Sequence, residues 1–145
     1  MDVHSKETRS YNMSRIRSKD TKPELLVRQF LHSQGFRYRL HVKDLPGKPD
    51  IVLPKYKAAV FIHGCFWHGH EGCQYYTIPK TRTKWWQSKI TINRINDLRS
   101  KSALEYAGWQ VLEIWECELK KAVFEKTMIF TAEQLAIREQ ELLSK

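Results

Sequence analysis

Apolar residues recur at helical spacing just after Thr21, where Leu25, Leu26, Phe30 and Leu31 fall on one face. Thr21 is a good N-cap, Pro23 suits the first turn, and Glu24 stands three residues after Thr21 as in a capping box. Gly35 closes this helix. The period then changes to two. Phe36-Arg37-Tyr38-Arg39-Leu40-His41-Val42 alternates apolar and polar, which predicts a half-exposed strand. Leu45-Pro46-Gly47-Lys48-Pro49 is a turn, Asp50-Ile51-Val52-Leu53 a short strand, and residues 54–57 turn again. Ala58-Ala59-Val60-Phe61-Ile62 is a continuous apolar run, the pattern of a buried central strand. Residues 64–81 carry no period. Helical spacing returns over residues 83–107, with Trp86, Ile90, Leu98 and Leu104 near one stripe and Gly108 at the end. Trp109-Gln110-Val111-Leu112-Glu113-Ile114-Trp115 predicts another strand. One or two helices follow Glu118, with Thr131 and Gln134 as the capping box of the last. Helix, three strands, helix, strand, helix predicts a mixed α/β fold with a central sheet.

Length and charge narrow the class. The 145 residues suit one domain, 1–145. Within it residues 1–20 form a polar, basic arm whose few apolar anchors are Tyr11, Met13 and Ile16; such an arm orders on a partner. No run reaches the roughly 18 apolar residues of a membrane helix, and the start lacks an apolar signal core, so a cytoplasmic protein is expected. The net charge is +9, and it is unevenly placed: residues 1–103 hold 20 basic and 8 acidic side chains, and residues 104–145 hold 5 and 8. A basic body points to nucleic acid before membrane. Three cysteines in such a protein argue for metal or free thiols rather than a disulfide framework.

Cys65-Phe66-Trp67-His68-Gly69-His70-Glu71-Gly72-Cys73 puts two thiols and two imidazoles in nine residues. Thiolate and imidazole suit Zn²⁺, and a closed four-ligand site is structural. If the strand after Gly108 lies beside 58–62, Cys117 reaches the sheet end occupied by Cys65. Cys65, His70, Cys73 and Cys117 then make a Cys₃His site, and His68 is left over. The bland alternative is buried thiols beside surface histidines.

Glu24, Asp50, His63 and His68 form a second constellation. A hairpin-like arrangement makes Asp50 and Ile62–His63 neighbours at one sheet end. A carboxylate beside a backbone carbonyl is a hard oxygen site for Mg²⁺, and a nearby neutral histidine suits a base for water. Against this, Glu24 could serve only its helix cap and Asp50 only its turn. Pro49-Asp50 followed by a second strand resembles the PD-(D/E)XK nuclease core, but the acid and Lys of the second element are replaced by Ile62-His63-Gly64.

That departure and the Cys/His loop together resemble the very short patch repair (Vsr) mismatch endonucleases. The resemblance spans nearly the whole chain: Thr8-Arg9-Ser10 with Asn12-Met13, Asp20-Thr21-Lys22-Pro23-Glu24, Leu45-Pro46-Gly47-Lys48-Pro49-Asp50, Phe61-Ile62-His63-Gly64-Cys65-Phe66-Trp67-His68, Pro79 with Thr81-Arg82-Thr83, and Gly108-Trp109 with Trp115-Glu116-Cys117. It implies a PD-(D/E)XK-like core with an inserted structural zinc at Cys65, His70, Cys73 and Cys117. It implies that Asp50 and the backbone carbonyl of Ile62 hold Mg²⁺, that His68 is the general acid/base, and that Glu24 and His63 support water and phosphate. The family often carries Thr where this chain has Ile62; the backbone oxygen is the same in both, and a role for the hydroxyl would be lost.

The resemblance also assigns Phe66, Trp67 and Trp86 to a wedge that opens a duplex, and Arg9, Met13, Arg15, Arg17 and Lys19 to an arm that embraces DNA. A mismatched step is less costly to open, so a wedge favours it. Core packing is the competing role, expected of Trp85 and Trp109. The implied activity is Mg²⁺-dependent nicking of duplex DNA at T:G mismatches left by 5-methylcytosine deamination, beside a cytosine-5 DNA methyltransferase, by a monomer. Two alternatives are a non-catalytic zinc DNA-binding module and a restriction-type nuclease on the same core.

Overall fold

The computed structural model describes residues 20–145. The basic arm, with Arg9, Met13, Arg15, Arg17 and Lys19, lies outside the described residues. Three strands make the sheet in the order β1 (Ile51–Leu53), β2 (Ala58–His63), β3 (Gln110–Trp115). The β1–β2 pair is antiparallel, with Ile51 opposite Val60 and Leu53 opposite Ala58. The β2–β3 pair is parallel and runs from Ala58 opposite Gln110 to His63 opposite Trp115. A parallel pair needs a long crossover, and the chain supplies it with a 24-residue helix, Thr83–Tyr106. The other helices are α1 (Lys22–Ser33) and α3 (Phe124–Leu143), so the crossover helix is α2. This is the mixed sheet flanked by helices that the pattern predicts.

The core follows strand alternation. Ala58 and Val60 of β2 face one side, where Ile51, Leu53 and Ile114 join Val27 and Leu31 of α1 and Met128 and Leu135 of α3. Burial of each large aliphatic side chain there contributes roughly 1.5–3 kcal/mol. Phe61 and His63, one residue out of phase, face the side covered by α2. At the base of that face Gly47, with φ of 76°, lies so close to α2 that a Cβ would stand 2.6 Å from Cβ of Ser100.

Three expectations are corrected. Residues 36–42 form no strand; Arg39 makes one antiparallel bridge to Val52, through bonds of 2.7 and 3.0 Å. Strand β1 has only three residues before Pro54, and His41 turns out of the extended region at φ of 57°. Phe36, Tyr38 and Leu40 still pack on the core, so the alternation reports burial without a ladder. Thr131 does not start a helix: α3 is continuous, and the buried Thr131 hydroxyl donates to the Thr127 carbonyl at 2.9 Å. Leu98 lies off the inward stripe of α2 and is 65% exposed, while Ile90 and Leu104 are buried.

Candidate active site and metal centre

Where β1 begins and β2 ends, a cleft of about 750 Å³ opens between the sheet, α1 and α2. Glu24, Asp50, Ile62, His63 and His68 all line it, with Lys48, Trp67, Asn96, Asp97 and Ser100. The antiparallel pairing brings Asp50 there. Its backbone N–H donates to the Val60 carbonyl at 3.0 Å, and its carboxylate accepts the Ile62 N–H at 2.7 Å. Burial pushes the Asp50 carboxyl up to about 6; the Ile62 N–H opposes the shift and the Glu24 carboxylate adds to it.

Glu24 reaches the cleft from the first turn of α1. Thr21 caps that helix by accepting the Glu24 N–H at 3.5 Å. The Glu24 carboxylate accepts instead from Asp20 N–H at 2.8 Å and from Arg28 at 3.2 Å. The capping reading is therefore half right: Thr21 caps, while the nearly buried Glu24 bonds one residue beyond the cap and also faces the cleft.

Two histidines meet on the α2 side, their ring centroids 4.3 Å apart. Nδ1 of His68 lies 2.7 Å from an Asp97 carboxylate oxygen. Nε2 of His63 lies 3.1 Å from Glu113, whose other oxygen pairs with Lys101 at 3.2 Å. Asp97, Lys101 and Glu113 are absent from the sequence reading. One signal existed for Asp97: it stands seven residues after Ile90 and seven before Leu104, on the buried stripe of α2.

The other cluster stands at the C-terminal end of β3, the sheet end at which β2 also finishes. One ligand atom each from Cys65, His70, Cys73 and Cys117 lies within 4.8 Å of the others. Nδ1 of His70 is 3.4 Å from Sγ of Cys117, and the His70 ring stacks on Trp115 at 4.0 Å and 4°. Burial, then the two neighbouring thiols, push the Cys117 thiol up to about 12. Three thiols this close cannot ionise together without a cation, so the group could hold a metal. Gly69 seats the loop: its carbonyl accepts from Arg94, and a Cβ there would stand 2.5 Å from Ile90.

Phe66, Trp67 and Trp86 form one aromatic cluster with centroid separations of 5.2–5.6 Å. Asn93 fixes its backbone by donating to the Trp67 carbonyl at 2.7 Å. Trp67 is 41% exposed. The core role expected for Trp85 is corrected: it is 46% exposed, touches Trp86 edge-on and carries the Arg82 guanidinium over its ring. It sits in the first turn of α2, beyond the reach of the sheet, so its apolar surface adds to the aromatic cluster.

A family model described as DNA mismatch endonuclease Vsr matches residues 1–74. The DNA mismatch endonuclease Vsr of Escherichia coli strain K12 is 44% identical over 119 residues, which is 82% of this chain and 76% of that protein. The type II nicking enzyme V.XorIIP of Xanthomonas oryzae pv. oryzae is 53% identical over 118 residues, 81% of this chain and 86% of that protein. The catalytic domain of the homing endonuclease I-Bth0305I has a similar fold, with a TM-score of 0.54 at 20% identity, covering 82% of this chain and 98% of that one.

Proposed function

This chain belongs to the DNA mismatch endonuclease Vsr family and is a DNA endonuclease, and from that premise we propose that it nicks duplex DNA at T:G mismatches with the help of Mg²⁺. One observation carries the proposal: a single cleft holds Asp50, the paired His68–Asp97 and, at its rim, the exposed Trp67.

The family implies a divalent metal, and the cleft's donor set suits one. Asp50 is a half-buried carboxylate short of counter-charge, as its raised proton affinity reports, with Glu24 adding to the deficit. Hard oxygen donors and a missing positive charge fit Mg²⁺. Asp50 and the Ile62 carbonyl would hold it; in an extended strand the N–H and C=O of one residue leave on the same edge, and the Ile62 N–H already faces Asp50. When bound, the ion supplies positive charge to the scissile phosphate. Nothing in this arrangement uses a side chain at position 62, which supports Ile in place of Thr.

The Asp97 carboxylate takes the Nδ1–H of His68, which leaves Nε2 to accept a proton from attacking water. Glu24 and His63 hold water and phosphate beside it. For the second cluster we assign structural zinc. Tetrahedral Zn²⁺ sets nitrogen and sulfur ligands roughly 3.5–3.8 Å apart, and the 3.4 Å between His70 and Cys117 is close to that spacing. We also assign residues 1–145 to one domain acting as a monomer, with the arm at 1–20 clamping DNA, in a cell that carries a cytosine-5 DNA methyltransferase.

The test is a nicking assay on duplexes carrying T:G, other mismatches or none, with and without Mg²⁺. Nicking confined to T:G and to Mg²⁺ is the expected result. Equal cutting of matched DNA points to the restriction-type reading, and binding without cutting points to the non-catalytic one.

Trp67→Ala separates wedge from packing. It removes a stacking surface worth about 1–3 kcal/mol, or roughly 5- to 150-fold in affinity. The loss is expected on T:G duplex and not on matched duplex, where Lys and Arg contacts to phosphate dominate, and the salt dependence should stay as in wild type. Equal losses on both duplexes would mean that Trp67 only packs the loop.

A further inference from the structure

The proposed chemistry does not use the charged pair beside His63. Lys101 on α2 and Glu113 on β3 meet behind His63, on the sheet face that turns away from the aliphatic core. Their side chains are 41% and 29% exposed, and the His63 side chain is 5% exposed. Phe61 stacks on the His63 ring and His68 and Trp115 pack against it at a tilt, so its plane is set by packing. Which of its nitrogens carries the proton is a separate matter.

We propose that Lys101 and Glu113 form a positioning brace that fixes the tautomer of His63, with the proton on Nε2 and the Nδ1 lone pair left for the reaction cleft. This rests on the role given to His63 in the proposed function. Each Glu113 oxygen has its own partner: Oε1 meets the Lys101 ammonium at 3.2 Å, and Oε2 meets Nε2 of His63 at 3.1 Å. An ammonium only donates and a carboxylate only accepts, so Nε2 must be the protonated nitrogen. The hydrogen bond from His63, with help from Lys101 and against burial, holds the Glu113 carboxyl down at about 2, so this acceptor is ionised at neutral pH. Lys101 matters because it offsets the Glu113 charge locally. His63 lines the cleft, and one of its ring nitrogens lies within 4.8 Å of a ring nitrogen of His68 and an Asp97 oxygen. With the proton on Nε2, Nδ1 is the ring's remaining acceptor for a water proton beside the proposed base.

The one-oxygen-per-partner arrangement makes a sharp test. In Glu113→Gln the ammonium of Lys101 claims the amide oxygen, so the amide NH₂ faces Nε2 of His63. Nε2 must then accept, and the proton moves to Nδ1. Size and shape are unchanged, so folding and DNA binding should be as in wild type. The kcat for nicking T:G duplex should fall at least about tenfold with KM unchanged, as when a supporting partner of a site residue is lost. In the double variant Lys101→Met with Glu113→Gln the amide is free to turn its oxygen toward Nε2, and most of the lost kcat should return. A merely structural pair gives the opposite order, with the double variant worse than the single. Nitrogen NMR of histidine-labelled full chain reads the tautomer without reference to activity: Nε2–H in wild type, Nδ1–H in Glu113→Gln, Nε2–H again in the double variant. An unchanged tautomer in Glu113→Gln, or no recovery in the double variant, overturns the proposal. An inverted tautomer with wild-type kcat also overturns it as a positioning device and shows that His63 is not needed. If wild type nicks no duplex at all, the functional reading falls, and the NMR series still decides the brace.

Discussion

Asp50→Asn is expected to abolish nicking, by about 10³-fold or more, and at the same time to make the chain more stable when no Mg²⁺ is added. The two effects have one cause. Asp50 is a carboxylate in a place that disfavours charge, with its carboxyl raised from 3.8 to about 6. The unfolded chain ionises it near 4. Between those values the folded chain binds the proton more tightly, so stability falls as pH rises from about 4 to about 6, and the deficit is complete above 6. A shift of about two units corresponds to roughly 3 kcal/mol. The amide still accepts the Ile62 N–H but carries no charge, and after relaxation a gain of about 1–2 kcal/mol at pH 7 is expected. Urea unfolding at pH 7 and pH 4 measures it. The variant should be the more stable at pH 7, and the gap should close at pH 4. Adding Mg²⁺ should stabilise wild type alone, since only wild type keeps the charged ligand. Wild-type nicking by the variant would remove Asp50 from the chemistry. Equal stability at both pH values would remove the charge argument.

The sheet and the positions of its apolar residues were legible because period and burial agree. Ala58–Ile62 reads as central and is central; Trp109–Trp115 reads as its neighbour, and Gln110–Trp115 pairs with β2 in parallel. What failed was pairing beyond that: the alternation at 36–42 describes side chains that bury, and no period says whether a partner strand is long enough to bond them. Site residues with a local signature were also legible. Two thiols and two histidines within nine residues announce a cluster that could hold a metal, which three of them form with Cys117, and Pro49-Asp50 before a strand announces a carboxylate at a sheet end. Asp97, Lys101 and Glu113 were not, because a charged residue on a helix or strand reads as a solvated face. They stand on inward faces only because that side of the sheet closes over a cleft rather than an apolar core. The same feature misplaced Leu98: the inward stripe of α2 is spent on Arg94, Asp97 and Lys101, and the apolar residue one position along is left outside. Trp85 failed in the other sense: an apolar ring in a predicted helix reads as core packing, and the first turn of α2 leaves it 46% exposed.

Cys73→Ala is expected to remove the bound metal and with it a large part of the fold's stability. Cys65 and Cys73 lie in a segment with no regular structure, and Cys117 stands in the single turn after β3. Backbone bonds hold the turns of the loop itself, from His70 N–H to the Cys65 carbonyl at 2.9 Å and from Cys73 N–H to the His70 carbonyl at 3.3 Å. Among the described residues, the bonds made by the cluster's side chains are Cys117 N–H to Cys65 Sγ at 3.3 Å, the His70–Cys117 approach, and Tyr75 N–H to Cys73 Sγ at 3.4 Å. These use the proposed ligand atoms, so loss of an ion would loosen the tie between the loop and the turn after β3. Because the unfolded chain has no preformed site, binding free energy here is folding free energy. A loss of about 3 kcal/mol or more is expected, which lowers Tm by about 10 °C in a domain of this size. Metal analysis should find one zinc per wild-type chain and none in the variant. The loop also carries His68 and Trp67 to the cleft, so nicking should fall with the zinc even below the melting temperature. Hydrogen exchange separates the regions: loop 64–81 and the turn after β3 should lose protection first, while α1 and α3, packed on the far face of the sheet, keep theirs. A Cys73→Ala chain with wild-type Tm and no zinc would show that the loop is held by its packing against Ile90 and Arg94, and that the thiols are bystanders.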